Sequence, residues 1–114
     1  MSDLRRLGRE AEDRAAAYLL NLGYTIVTRR FKAKRGEIDI VALDGETVVF
    51  VEVKWRRGRS QTPESAISHD KVALLRESAL EYLYKAENPE QMIRFDLVAI
   101  DPDGLRHYVN AFHG

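Results

Sequence analysis

The segment from Arg35 to Arg57 constrains the fold more than any other part of the sequence. It contains two runs rich in apolar residues, and the dipeptide Asp44-Gly45 lies between them. An Asp-Gly dipeptide between two such runs is the strongest short-range signal for a β-hairpin. The sequence therefore predicts two antiparallel strands joined by a two-residue turn at Asp44-Gly45.

Three charged residues lie inside this otherwise apolar hairpin. Asp39 is in the first strand, and Glu52 and Lys54 are at the end of the second. With a two-residue turn, Asp39 would face Phe50 and would have Glu52 as its diagonal neighbour, at about 7–8 Å. Alternate residues of a strand share one face of the sheet, so the three charged side chains are expected on the same face. A change of register by one residue would separate them.

Two carboxylates and a lysine at one end of a sheet suit a hard divalent cation. Mg²⁺ takes oxygen ligands and is commonly held by one or two carboxylates plus a substrate phosphate. Such an ion polarises a phosphodiester and lowers the pKa of a bound water, and Lys54 could orient that water or stabilise the transition state. A zinc site is not favoured, because the three histidines lack ligand spacing and the chain has no cysteine. A Glu-x-Lys at a strand end is also common on exposed edges, so the pattern alone leaves the metal site open.

The charged residues are unevenly distributed along the 114-residue chain. Lys and Arg number 18, Asp and Glu also number 18, and the net charge is zero, which argues against a simple polycationic nucleic-acid binder. Nine of the 18 basic residues nevertheless fall in two short runs that flank the acids: Arg29, Arg30, Lys32, Lys34 and Arg35, then Lys54, Arg56, Arg57 and Arg59. Such local clusters suit phosphate binding. Either run alone fits a solvated loop equally well.

Helical periodicity occurs twice. Apolar residues at three- and four-residue intervals predict a first helix up to about Leu22, which Gly23 ends. A second helical region begins at Pro63, with a break near Ser68-His69 where Ser68 can cap a new helix. Glu12 borders the apolar stripe of the first helix, and periodicity alone favours an exposed surface acid at this position.

Three further strands are predicted from β-branched and aromatic runs at Tyr24–Arg30, Met92–Ile100 and Leu105–Phe112. The order is then α-β-β-β-α-β-β, and the long helical connection after the hairpin permits a parallel crossover. The sequence thus predicts a single α/β domain over residues 1–114, with a mixed β-sheet flanked by helices. No apolar run is long enough to cross a membrane, and a cytoplasmic location is the default expectation.

Asp39, twelve intervening residues and Glu52-Val53-Lys54 form the pattern of the PD-(D/E)xK nuclease superfamily. The bare motif is weak, but the hairpin and the order of elements also resemble the core of that superfamily. The resemblance implies a restriction-endonuclease-like fold with three layers. Archaeal-type Holliday-junction resolvases are similar in one further respect, a glutamate on the first helix that joins the metal site. Glu12 has the matching position, so the resemblance favours a metal ligand there over a surface acid.

Segments along nearly the whole chain match one family more closely. They are Gly8 with Glu12-x-x-Ala15-x-x-Tyr18-Leu19, Gly23-Tyr24, Gly36–Val41, Val49–Lys54, Lys71, Arg94-Phe95-Asp96 and Asn110-Ala111-Phe112. Together they resemble the YraN-like family of small bacterial proteins, to which an endonuclease-like fold is assigned. The sequence departs from the family pattern at Ala11, Arg30 and Trp55, and none of these departures falls on the expected site residues.

The resemblance implies a metal-dependent endonuclease or nuclease-like protein acting on structured or branched DNA, with DNA preferred over RNA. In this hypothesis Glu12, Asp39 and Glu52 bind Mg²⁺ or Mn²⁺, and Lys54 assists the attacking water. The residues expected to bind nucleic acid are Arg29, Arg30, Lys32, Lys34, Arg35, Arg56, Arg57 and Lys71. The alternatives are a non-catalytic nucleic-acid-binding module with the same fold and a protein-interaction subunit whose partner supplies the activity. A homodimer also stays open, because small junction enzymes often need two sites.

Three residues near the hairpin have two interpretations each. Glu37 lies opposite Glu52 in the expected register. It is interpreted either as an accessory metal ligand or as a surface acid. Lys71 is interpreted either as a contact to a phosphate or as a cap on the polar end of the cleft expected at the charged residues of the hairpin. Trp55 stacks on a base or packs against the interior, and packing is favoured because Trp55 alternates away from Lys54.

Overall fold

In the computed structural model, which describes residues 2–88 and 90–112, two α-helices pack on a five-stranded β-sheet. The elements in chain order are α1 (Ser2–Asn21), β1 (Thr25–Lys32), β2 (Glu37–Asp44), β3 (Thr47–Trp55), a 3-10 turn (Pro63–Ala66), α2 (His69–Lys85), β4 (Ile93–Asp101) and β5 (Gly104–Tyr108). The predicted order α-β-β-β-α-β-β is confirmed, with the short 3-10 turn added before α2. No helix among the described residues is long and apolar enough to span a membrane.

The strands lie side by side in the order of the chain, β1-β2-β3-β4-β5. β3 and β4 are parallel, and the other neighbouring pairs are antiparallel. The parallel pair arises because the segment containing α2 returns the chain to the end of the sheet at which β3 began. The mixed sheet and the parallel crossover expected from the sequence are therefore confirmed.

The two helices cover opposite faces of the sheet, which gives three layers. Val49 and Val51 of β3 pack with Leu19 of α1 in one fully buried cluster. Phe50, the residue between them, packs with Leu83 of α2 in a second cluster. This alternation follows from the period of two in a β-strand. β3 is buried on both faces, which explains its nearly continuous apolar run.

The predicted end of α1 and the predicted start of α2 are both confirmed. Gly23 follows α1 with a φ of +96°, as the predicted helix terminator requires. The Ser68 hydroxyl oxygen accepts a hydrogen bond from the backbone N–H of Lys71 and so caps α2.

The predicted last strand is wrong beyond Tyr108. Asn110 has a φ of +56°, and the chain turns there so that Phe112 packs in a small cluster with residues of α2 and β4.

The turn of the β2–β3 hairpin differs from the predicted one. Asp44 pairs with Thr47, so Gly45-Glu46 form the turn, and the predicted register is wrong by two residues. Gly45 supplies a φ of +62°, and the Asp44 carboxylate is held in the strand by Arg94 of β4, at 2.9 Å. A shift of two residues preserves the face of every regularly alternating side chain.

Candidate functional site

The side chains of β1 and β2 change direction at Arg30 and Asp39. The regular pairing of the two strands includes neither residue, and Arg30 has a φ of +57°. Ile40 consequently packs on the α1 face, whereas Ile38, only two residues away, packs on the α2 face. Asp39 therefore lies where the regular alternation of β2 is interrupted.

Asp39 lines a cavity of about 510 Å³ between the sheet and α1, which we call the Asp39 cavity. Its walls include Glu12 from α1, Arg30 from β1, and Val53 and Trp55 from the α1 face of β3. Glu52 is not part of these walls and contacts α2 instead. The prediction that Asp39, Glu52 and Lys54 project from one regular face is thus wrong, because the interruption at Asp39 turns its side chain towards α1.

A backbone hydrogen bond nevertheless keeps Asp39 beside the predicted Glu-x-Lys segment. The N–H of Val53, which lies between Glu52 and Lys54, donates to Oδ2 of Asp39 at 2.7 Å. Burial, followed by the charge of Glu52, raises the pKa of Asp39 to about 7, although the Val53 hydrogen bond and Lys54 act in the opposite direction. Asp39 forms no ion pair with any described residue, so the Val53 hydrogen bond and the more distant Lys54 offset its charge only in part.

Glu52 is buried and is contacted by two lysines. Its Oε2 lies 3.1 Å from Nζ of Lys54 and 3.4 Å from Nζ of Lys71, and only 4% of the Glu52 side chain is exposed. Lys71 is in the first turn of α2, which Ser68 caps. Lys71 thus connects the first turn of α2 to Glu52, and both a role in phosphate binding and a capping role stay predictions.

Glu12 is held by the first basic run. Its Oε1 lies 2.8 Å from Nη2 of Arg29 and 3.1 Å from Nε of Arg30. Arg29 also contacts Asp13, at 2.6 Å. The structure therefore brings a predicted metal ligand and two predicted phosphate-binding residues together as ion pairs. Their roles towards a metal or a phosphate remain predictions.

The carboxylates of Asp39 and Glu52 are oxygen donors of the kind that Mg²⁺ and Mn²⁺ take. Oδ1 of Asp39 and Oε1 of Glu52 make no hydrogen bond with the described residues, so each carboxylate keeps one oxygen for a ligand. Within residues 2–88 and 90–112, no three His, Asp or Glu side chains form a cluster that could hold a metal ion. Mg²⁺ is commonly bound by only one or two protein carboxylates, with water and phosphate completing its shell. The carboxylates of Asp39 and Glu52 therefore suit such an ion, and the role of Glu12 as a third ligand stays a prediction.

The rest of the first basic run is divided between the cavity and α2. Lys32 lines the Asp39 cavity and contacts Glu37 at 2.9 Å. Glu37 thus pairs with β1, and the expected position opposite Glu52 is wrong because of the changed register. Arg35 contacts Glu77 of α2 at 3.0 Å, and the backbone N–H of Lys34 donates to Glu81 of the same helix. This part of the run helps to attach the β1–β2 loop to α2.

The second basic run lies beside Trp55. Arg56 and Arg57 line a neighbouring cavity together with Lys54 and Trp55, and Arg56 donates a hydrogen bond to the backbone oxygen of Trp55. Trp55 packs against the core on the α1 face, in agreement with the predicted packing role. Its indole is in contact with α1 at Gly8, where a Cβ would lie 3.4 Å from Nε1.

Arg5 and Arg9 of α1 both line the Asp39 cavity and are not among the site residues predicted from the sequence. Together with Glu12 they are spaced four and three residues apart, and residues at this spacing share one face of a helix. That spacing, measured from Glu12, is the signal that could have identified them.

A second buried acid, Asp96, shows how a compensated carboxylate looks in this fold. Asp96 is fully buried, and it accepts hydrogen bonds from Arg94 at 2.9 and 3.0 Å and from the backbone N–H of Asn110. Nε2 of His107 lies 2.8 Å from its Oδ2. Burial would raise the pKa of Asp96, but the hydrogen bonds of His107 and Arg94 outweigh it and lower that pKa. Asp39 is only half-buried and has no such set of partners, and an acid whose pKa is raised in this way is typical of functional sites.

The sheet with its helices on both faces has the endonuclease-like fold of Holliday-junction resolvases. It is similar to the structure of Hjc, a Holliday junction resolvase from Archaeoglobus fulgidus, with a TM-score of 0.55 and 20% sequence identity. The match covers 89% of this chain and 75% of that chain. The predicted restriction-endonuclease-like α/β fold is thereby confirmed.

The chain belongs to the family described as Uncharacterised protein family UPF0102, which matches residues 11–100. It is 44% identical over 112 residues to a UPF0102 protein of Geobacter sulfurreducens, covering 93% of this chain and 88% of the relative. It is 41% identical over 106 residues to one of Persephonella marina, covering 92% and 91%. A UPF0102 protein of Symbiobacterium thermophilum is 42% identical over 115 residues, covering 96% and 98%. The predicted membership of the YraN-like family is confirmed.

Proposed function

We propose that this protein is a divalent-metal-dependent phosphodiesterase that cuts structured or branched DNA. The observation that supports the proposal most strongly is the pair of acids Asp39 and Glu52, of which the half-buried Asp39 has a raised pKa and forms no ion pair with a described residue. Acids with such perturbed pKa values cluster at functional sites. The resolvase-like fold agrees with chemistry on nucleic acid.

Asp39 and Glu52 would hold the metal ion through the carboxylate oxygens that make no hydrogen bond within the protein. Bound there, Mg²⁺ or Mn²⁺ would supply Lewis-acid activation of the scissile phosphate and of the attacking water. Lys54 orients the attacking water and stabilises negative charge on the phosphate. Glu12 positions Arg29 and Arg30, of which Arg30 lines the cavity, so that these basic residues contact DNA phosphates.

Cleavage of labelled four-way junction, single-stranded and duplex DNA tests this function directly. We expect cutting of at least one branched or single-stranded substrate in Mn²⁺ and none in EDTA. Glu52→Gln removes a metal ligand and should abolish cutting, and Lys54→Met should slow it about 100-fold or more. Asp103→Asn, an exposed acid paired with Arg59, is the matched control and should cut like the wild type. Equal activity in Glu52→Gln and wild type would indicate a contaminant or a different site.

One observation favours a second candidate, a non-catalytic nucleic-acid-binding module. Glu12 is neutralised by two arginines and Glu52 by two lysines, so both acids already have counterions within the protein. In that case DNA binding should be the same with and without divalent metal, and it should persist in Asp39→Ala. Binding that strengthens in Mn²⁺ for wild type but not for Asp39→Ala would exclude this candidate.

A further inference from the structure

The α1 wall of the Asp39 cavity has positive charge that no acid among the described residues neutralises. Four basic and three acidic side chains line the cavity. Two of the acids have basic partners on β1: Glu12 contacts Arg30, and Glu37 contacts Lys32. Arg5 and Arg9 are exposed and form no ion pair within residues 2–88 and 90–112.

The arrangement of Arg5 and Arg9 is unfavourable for the helix itself. Like charges four residues apart repel each other on a helix surface. Gly8, which also lines the cavity, is a poor helix former. An anion bound between the two guanidinium groups would remove the repulsion, and the missing side chain at Gly8 leaves room beside Trp55.

Arg6, the neighbour of Arg5, shows what an ordinary arginine of this helix does. It contacts Asp3 at 3.8 Å and Glu10 at 3.9 Å, one turn away on either side, and it does not line the cavity. Arg5 and Arg9 therefore differ from Arg6 both in direction and in the absence of an acidic partner.

We propose that Arg5 and Arg9 form a binding site for one backbone phosphate of a nucleic-acid strand, next to the phosphate that lies at Asp39. The proposal rests on the proposed function, because the strand must enter the cavity that Asp39 lines. A planar guanidinium group can donate two parallel hydrogen bonds to a phosphate, and two such groups on one helix face fix its position. Arg5 and Arg9 are thereby positioning residues that set which phosphodiester reaches the acids.

Trp55 gives a direct readout of this site. It is the only tryptophan of the chain and it lines the same cavity as both arginines. We would measure binding of an oligothymidylate of eight nucleotides by Trp55 fluorescence over a range of salt concentrations. The titration is done in EDTA, so that binding is observed without cleavage. The variants are Arg5→Gln, Arg9→Gln and the double variant, with Arg6→Gln as the control that removes the same charge from the same helix.

For single strands, loss of one phosphate contact lowers the slope of log affinity against log salt by about 0.7. Because both arginines bind the same phosphate, we expect this full change in the double variant, a smaller change in each single variant, and none in Arg6→Gln. Arg5→Lys/Arg9→Lys should retain most of the slope. An unchanged slope in the double variant, or an equal change in Arg6→Gln, would overturn the proposal.

Cleavage in Mn²⁺ distinguishes this proposal from the proposed function. Oligonucleotide binding that depends on Arg5 and Arg9, without cleavage of any substrate, supports the phosphate site and contradicts the nuclease. Cleavage that is identical in wild type and in Arg5→Gln/Arg9→Gln supports the nuclease and overturns the phosphate site. A wild-type protein that neither binds nor cuts overturns both.

Discussion

The backbone N–H of Val53 donates a hydrogen bond to the carboxylate of Asp39, with 2.7 Å between the nitrogen and Oδ2. This bond joins an acid of β2 to the residue of β3 that separates Glu52 from Lys54. Because Asp39 interrupts the regular alternation of β2, the backbone bond keeps the acid at the Glu-x-Lys segment. The proposed site thus depends on a backbone contact as well as on strand register.

Asp39→Asn is expected to stabilise the protein at alkaline pH. The pKa of Asp39 is raised to about 7 in the folded state, so the folded protein binds a proton that the unfolded chain has lost. The contribution of Asp39 to stability therefore falls as the pH rises from about 4 to about 7. Thermal unfolding followed by circular dichroism should give a higher Tm for Asp39→Asn at pH 8. A gain of 1 kcal/mol corresponds to about 4 °C in a domain of this size.

The pH dependence of this difference separates charge from packing. The advantage of Asp39→Asn should shrink steadily from about pH 8 to about pH 4.5. Glu87→Gln, which changes an exposed acid beyond α2, should show no such trend. A Tm difference that does not vary with pH would contradict a raised pKa at Asp39.

Lys54 and Lys71 should be partly redundant in stability because both contact Oε2 of Glu52. Lys54→Met or Lys71→Met alone leaves one counterion, so each should cost about 1 kcal/mol or less. The double variant leaves a buried carboxylate without a cation and should cost about 3 kcal/mol or more. Urea unfolding of the four proteins measures the coupling between the lysines. Strictly additive losses would show that the two lysines act independently of Glu52.

Asp96→Asn should be strongly destabilising, in contrast to Asp39→Asn. Asp96 is fully buried and accepts hydrogen bonds from Arg94 and Asn110, so losing its charge should cost about 3–5 kcal/mol at neutral pH. Asp103→Asn, at an exposed ion pair, should cost about 1 kcal/mol or less. The folded pKa of Asp96 is lowered, so its contribution is present above pH of about 4 and is lost as the pH falls further. Urea unfolding at neutral and acid pH should show the loss for Asp96→Asn shrinking in acid, and equal losses at both would contradict this role.

Two glycine substitutions should have opposite effects. Gly8 is inside α1, and a Cβ there would meet Trp55 at an ordinary contact distance of 3.4 Å. Gly8→Ala should therefore stabilise the protein by about 0.5–1 kcal/mol. At Gly36 a Cβ would lie only 3.1 Å from Oγ of the buried Ser78, so Gly36→Ala should cost about 1 kcal/mol or more. Urea unfolding measures both, and effects of the same sign would contradict these contacts.

Features with local signals could be predicted from the sequence. The order of helices and strands, the end of α1 at Gly23 and the new start of α2 after Ser68 each depend on residues within a few positions. The place of Glu52 and Lys54 at the end of a buried strand also follows from the apolar run before them. Resemblance of short segments was enough to identify the family.

Features that depend on distant contacts could not be predicted. The hairpin register is fixed in part by Arg94, which is 50 residues from Asp44 and holds its carboxylate. The change of direction at Asp39 coincides with a positive φ at Arg30 on the neighbouring strand, which no local rule required. The pairing of Glu12 with Arg29 and Arg30 arises only when α1 packs on β1.

Calorimetric titration of Mn²⁺ into the metal-free protein tests the proposed metal site most directly. We predict one binding site in the wild type, an unchanged site in Asp103→Asn, and no measurable binding in Asp39→Ala or Glu52→Gln. Circular dichroism of each variant establishes that it is folded. Mn²⁺ binding of equal affinity in wild type and in folded Asp39→Ala would contradict a metal site at Asp39 and Glu52.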